Sequence, residues 1–203
     1  MPELLHPRHR ADATAPAAPG PPRPCPGRAQ TRTAAGALIV GYGNPLRSDD
    51  GVGWHAARLL AADRLVGARV LARHQLAPEL AEDVSRASLV VLVDAAAEGE
   101  PGSVSVRRIG SPPPTPITWS HHLTPETLAG LADALYGTVP PIVLVSVAAE
   151  SFAEGDRLSS ALQQALPEVV ELVAGIVTRA ANGPGGSGIG SPTAGKGQER
   201  RLE

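Results

Sequence analysis

Three short apolar runs limit the folds open to this chain more than any other feature. They are ALIVGYG at 37–43, SLVVLVDA at 88–95 and PIVLVSVAA at 141–149. Runs of this length without polar alternation are typical of strands that are buried on both faces. Such strands belong to parallel sheets, because the helices that connect parallel strands cover both faces of the sheet.

Segments with helical periodicity and two weaker strands separate these runs. The alternation of strand and helix predicts an α/β fold, with three layers (α/β/α) around a mostly parallel sheet. The last helix is expected to bend near Pro167. The predicted helices cover 51–65, 78–87, 124–137 and 158–180, and the weaker strands cover 68–76 and 102–109, the second of them at an edge.

Composition sets the limits of this domain. Residues 1–34 are rich in Pro, Ala and Arg, and residues 182–203 are rich in Gly. Neither segment has enough apolar residues to offset the entropy lost on ordering, so we expect both to be disordered tails. The folded domain is therefore predicted to cover 35–181.

Composition also excludes several classes of function. A net charge of -2 and 2% aromatic residues argue against nucleic-acid binding. The single cysteine, Cys25, excludes a disulfide framework and a thiolate metal site. We find no apolar run of transmembrane length and no apolar leader, so we expect a cytoplasmic protein without a membrane partner.

Polar residues follow the predicted buried strands at the edge where α/β sheets bind ligands. Carboxylates together with an imidazole, and without thiolates, are ligands typical of nickel, zinc or manganese. The candidates are Asn44, Asp49 and Asp50 after the first run, Asp94 and Glu150 after the others, and His121 and His122 before the helix at 124–137.

The same residues also allow simpler roles. Asp49 and Asp50 are suited to cap the following helix, and Asn44 is suited to bond backbone amides in a turn. Asp94 is suited to a turn, and either histidine to an ordinary loop. Ser120 beside His121 resembles a nucleophile and base, but no oxyanion loop or G-x-S-x-G elbow accompanies it.

The glycines at 41–43 also begin like a dinucleotide-binding fingerprint. Leu46 occupies the place of the third glycine, and no acidic residue ends the next predicted strand. Both departures argue against a dinucleotide site.

Four segments carry a more specific resemblance. They are IVGYGNPLRSDDGVG, LVVLVDAAA, SHHLTPETLAGLADALYG and VLVSVAAESF, in this order. They resemble the hydrogenase maturation proteases, which remove a C-terminal extension from the large subunit of a nickel-iron hydrogenase. The resemblance covers residues 36 to 178. It implies an endopeptidase whose partner is the large-subunit precursor, and we expect it to act as a monomer.

The resemblance also implies roles for individual residues. The family's metal-binding acid before the first helix matches Asp50, its strand-ending acid matches Asp94, and its histidine matches His122, with His121 as the alternative. These residues would contact nickel already held by the precursor, so we expect no tightly held metal. Asp50 and Asp94 are also the implied catalytic residues, either as a general base or by aligning a metal-polarised carbonyl.

One loop departs from the family pattern. Where many members have an Asp-Gly-Gly-like turn, this chain has ARHQ at 72–75. We expect this loop to contact the substrate through His74 and Gln75, together with Asn44. Two other functions stay open, a non-cleaving nickel-sensing chaperone for the precursor and a general metal-dependent hydrolase that holds its metal tightly.

Overall fold

The computed structural model describes residues 36–63, 65, 67–110 and 123–183. Within them, five strands form a single sheet: β1 (Ala37–Tyr42), β2 (Ala68–Arg73), β3 (Val90–Ala96), β4 (Val104–Ile109) and β5 (Ile142–Ala148). The strand order is β2-β1-β3-β5-β4, and every neighbouring pair is parallel except β4 with β5. The mostly parallel sheet and the edge position of the fourth strand are confirmed.

Helices cover both faces of the sheet, which confirms the three-layer prediction. One face packs against α1 (Val52–Ala62) and α4 (Ser160–Ala181), and the other against α2 (Leu80–Arg86) and α3 (Pro125–Tyr136). Helix α3 begins as predicted, because the Thr124 hydroxyl accepts a hydrogen bond from the N–H of Thr127.

The chain path differs from the sequence-based expectation at the end of the second strand, and it adds a short helix before α1. The second strand ends at Arg73 rather than at residue 76, so His74 and Gln75 leave the sheet. A short 3-10 helix, Ser48–Gly51, precedes α1 and carries both acidic residues of the first motif. Helix α4 is continuous through Pro167, and the bend expected there stays a prediction.

The central strand β3 explains why the sheet is stable. Val90, Val91, Leu92 and Val93 are all completely buried, as expected for a strand covered on both faces. Strands β1 and β3 pair in register, with Val40 opposite Leu92. Because side chains alternate between faces, Tyr42 and Asp94 come next on the face that α2 and α3 cover.

The domain limits stay a prediction, because residues 1–34 and most of 182–203 lie outside the described residues. Across the described part of the chain, no helix is long and apolar enough to cross a membrane.

Candidate active site

Glycines let the loop between β1 and α1 lie directly on the strand ends. Gly43 has a φ of 131°, and a Cβ there would overlap the carbonyl oxygen of Asp50. A Cβ at Gly53 would overlap the carbonyl oxygens of Tyr42 and Val93. The short 3-10 helix is therefore held against the carboxyl edge of β1 and β3.

The first acid of the pair, Asp49, is buried inside the protein with 0% of its surface exposed. One carboxylate oxygen accepts hydrogen bonds from the backbone N–H groups of Glu150 at 2.9 Å and Ser151 at 3.0 Å. The other oxygen accepts from the N–H of Ser159 at 2.6 Å, at the N-terminus of α4. Three amide donors and a helix N-terminus stabilise the buried charge.

Further hydrogen bonds join the acidic loop, at residues 46–48, to residues 152–155 of the segment between β5 and α4. The N–H of Ser48 donates to the carbonyl of Gly155 at 2.9 Å, and the N–H of Gly155 donates to the carbonyl of Leu46 at 3.0 Å. The Arg47 guanidinium donates to the carbonyl of Phe152 at 3.3 Å. The acidic loop is thus fixed to the segment between β5 and α4. Helix α1 has no side-chain cap, so the alternative that these carboxylates cap it is wrong.

The second acid, Asp50, is half-buried and faces the other way. Its carboxylate accepts one backbone hydrogen bond, from the N–H of Asn44 at 2.9 Å. The Asn44 side chain in turn accepts from the N–H of Leu46 at 3.0 Å, which is the turn role expected of it. Asp50 therefore keeps free acceptor positions toward the space beside it.

That space is a pocket of about 500 Å³ at the carboxyl edge of β1, β2 and β3. Of the seven candidate residues that the structure describes, Asp49 and Glu150 do not line this pocket and the other five do. Those five residues are Asp50, Asp94, Asn44, His74 and Gln75, and Tyr42, Arg47 and Thr124 line the pocket beside them.

The two histidines of the motif, His121 and His122, lie outside the described residues, so the predicted third ligand stays a prediction. Leu123 and Thr124, the first described residues after them, line the pocket. Within the described ranges, no group of three or more His, Cys, Asp and Glu side chains is arranged to hold a metal ion. The described part of the site supplies two carboxylates.

The pKa of the second pocket carboxyl, Asp94, is raised above its ordinary value. Burial raises its pKa to about 6, against the lowering effects of the Tyr42 hydroxyl and of the Ala95 N–H, which donates to it at 2.9 Å. The charge of Asp50 raises the pKa further. A carboxyl with such a pKa exchanges protons close to neutral pH, and a cation between the two acids would relieve their repulsion.

One site residue was missed from the sequence. Tyr42 is 8% exposed, and its hydroxyl is buried beside Asp94. The contact falls short of hydrogen-bond geometry, and the hydroxyl has no partner among the described residues. The sequence signal that could have identified Tyr42 is the alternation of side chains along β1, which places it on the same face as Leu38 and Val40.

Comparison with known proteins supports the fold. No family model matches the chain, and no curated protein matches it. Three solved structures share the fold, with 70 to 71% of this chain covered. They are hydrogenase 2 maturation peptidase from Thaumarchaeota archaeon SCGC_AB-539-E09 (23% identity, 97% of that chain, TM-score 0.51), the endopeptidase HybD from E. coli (22%, 93%, 0.55) and the protease HycI from Thermococcus kodakarensis (24%, 93%, 0.56).

Identities below a quarter establish a shared fold. The chain therefore has the α/β fold of the hydrogenase maturation peptidases, in agreement with the fold that the sequence resemblance implied.

Proposed function

We propose that this protein is an endopeptidase that removes the C-terminal extension of a nickel-iron hydrogenase large-subunit precursor after nickel insertion. One observation carries the proposal. Asp50 and Asp94 come from different elements and line a single pocket at the carboxyl edge of the sheet. The proteins that share this fold are named as hydrogenase maturation peptidases, and the opening motif resembles theirs.

In this proposal the nickel belongs to the substrate. The precursor brings it into the pocket, where Asp50 and Asp94 contact it together with His122. Two carboxylates and one imidazole form an open site without thiolates, which binds a cation weakly compared with closed structural sites. The raised pKa of Asp94 supports the assignment, since burial and the nearby Asp50 leave its charge poorly compensated without a cation.

The proposed chemistry is hydrolysis of a peptide bond next to the bound nickel. A metal ion polarises a carbonyl that it contacts. The pKa of Asp94 is about 6 without a cation, and a nickel ion beside it would lower that pKa, so the carboxyl is ionised at neutral pH. It is suited to take a proton from the attacking water and to return it to the departing amine.

The rim of the pocket supplies the proposed substrate contacts. His74 and Gln75 are exposed where the chain leaves β2, and both line the pocket. Asn44 also lines the pocket, and its side chain accepts a turn hydrogen bond from the N–H of Leu46. We assign these three residues to the precursor peptide. Action in the cytoplasm, as a monomer and without nucleic acid, belongs to the same proposal.

The test compares nickel-loaded and nickel-free precursor, each incubated with the purified full-length protein. Mass spectrometry is expected to show loss of a C-terminal peptide from the nickel-loaded precursor alone. A stable complex without a change in mass would identify a non-cleaving chaperone instead. One metal ion per chain after dialysis, found by elemental analysis, would favour a general metal-dependent hydrolase.

A further inference from the structure

The Tyr42 hydroxyl is a polar group that the proposed function does not use. The side chain is 8% exposed, and its hydroxyl has no hydrogen-bond partner among the described residues. Buried polar groups almost always have a partner, because an unpaired one costs free energy on folding. The hydroxyl therefore needs a physical explanation.

The position of Tyr42 in the sheet supplies an explanation for this unpaired hydroxyl. Tyr42 follows Gly41 on β1, and Asp94 follows Val93 on β3, where Gly41 and Val93 are paired in register. Both side chains lie on the face covered by α2 and α3, and both line the pocket. One oxygen of Asp94 accepts the N–H of Ala95, which leaves the carboxylate room for a second donor.

We infer that Tyr42 is a positioning residue, whose hydroxyl donates a hydrogen bond to Asp94 when a cation occupies the pocket and so fixes the carboxylate toward that cation. The inference rests on the proposed contact between Asp94 and nickel. Carboxylates that bind metals are commonly held by such outer donors, whose loss typically costs 10–100-fold in affinity, as an order of magnitude.

The hydroxyl stays protonated in this role. Burial and the neighbouring Asp94 carboxylate raise the pKa of Tyr42, so it remains a hydrogen-bond donor throughout the neutral range. A purely packing tyrosine makes a different prediction. Its unpaired hydroxyl would only destabilise the fold, and replacement by phenylalanine would be neutral or stabilising without affecting any ligand.

The experiment measures Ni²⁺ binding to the full-length protein by isothermal titration calorimetry. It compares the wild type with Tyr42→Phe and with Tyr136→Phe, the matched control. The chain has two tyrosines, and Tyr136 is 42% exposed on α3, away from the pocket lining. Urea unfolding of the metal-free proteins measures stability in parallel.

We expect Tyr42→Phe to bind Ni²⁺ about 10-fold more weakly than wild type, with metal-free stability kept and Tyr136→Phe unchanged. Equal affinity in Tyr42→Phe and wild type would overturn the inference alone. Weaker binding together with lost stability would also overturn it, because the hydroxyl would then be structural. A wild type that binds no Ni²⁺ would contradict the metal contact in the proposed function, and the inference with it.

Discussion

Asp49 and Asp50 are adjacent in the sequence and lie in opposite environments. Asp49 has 0% of its surface exposed, and three backbone amides of the segment between β5 and α4 surround its carboxylate. Asp50 accepts one backbone amide, from Asn44, and lines a pocket with a second carboxyl, Asp94. The number of fixed donors around each carboxylate therefore separates a structural acid from the one that we propose to be reactive.

The same contrast explains why the loop needs both residues. The inner carboxylate anchors the acidic loop to a distant segment of the chain, and this anchor holds the outer carboxylate over the strand ends. The anchoring donors belong to rigid backbone, whereas the pocket carboxyls leave acceptor positions free for a ligand. Substitutions at the two positions should consequently affect different measurements.

The largest expected effect is on activity. Asp50→Asn should reduce precursor cleavage by roughly 100-fold or more, because the amide has no negative charge to hold a cation or accept a proton. The fold should be kept, since the asparagine oxygen still accepts the N–H of Asn44. Cleavage is followed by the mass of nickel-loaded precursor, and the Tm reports folding. A near wild-type rate would remove Asp50 from the site.

The next effect is on stability. Asp49→Asn should lower the free energy of unfolding by about 1–3 kcal/mol, because its NH₂ group must face at least one of the three N–H donors. Once folded, the variant should cleave faster than Asp50→Asn. Urea unfolding compares the two variants directly. Equal losses of stability at the two positions would show that the contrast between them is wrong.

The third prediction concerns Asp94 and pH. Its pKa is raised from 3.8 to about 6 in the folded protein. A carboxyl whose pKa is raised by folding does not reduce stability below its unfolded-state pKa. It reduces stability as the pH rises from there through its folded-state pKa. In metal-free protein, Asp94→Asn should thus have a free energy of unfolding of the order of 2 kcal/mol above wild type at about pH 7.5, and equal to wild type at about pH 3.5.

Urea unfolding at both pH values, with a chelator present, measures this difference. The asparagine can still accept the N–H of Ala95, so the comparison isolates the charge. A stability difference that does not change with pH would mean that Asp94 ionises normally.

The sequence was sufficient for the fold because the apolar runs and helical segments alternate clearly. It also placed Asp50 and Asp94 at one edge, since parallel strands end together. It did not reveal the partners of Asp49, which lie 101 to 110 residues further along the chain in a loop without periodicity. The role of Tyr42 depends on β1 lying next to β3, an adjacency that the order of elements alone does not determine.

The smallest expected effect is at Asn44, whose N–H donates to Asp50 and which lines the same pocket. Its side-chain oxygen accepts the N–H of Leu46 in an exposed turn, so Asn44→Ala should cost less than about 1 kcal/mol of stability. Asn44→Ser should keep part of that bond, because a serine hydroxyl makes the same turn contact more weakly.

If Asn44 also contacts the precursor, both variants lose its carboxamide and should raise KM by a similar few-fold factor. If the turn is its whole role, KM should change only as far as the turn bond is lost, with Asn44→Ser close to wild type. Steady-state cleavage kinetics beside urea unfolding distinguish the two outcomes, and we expect the first.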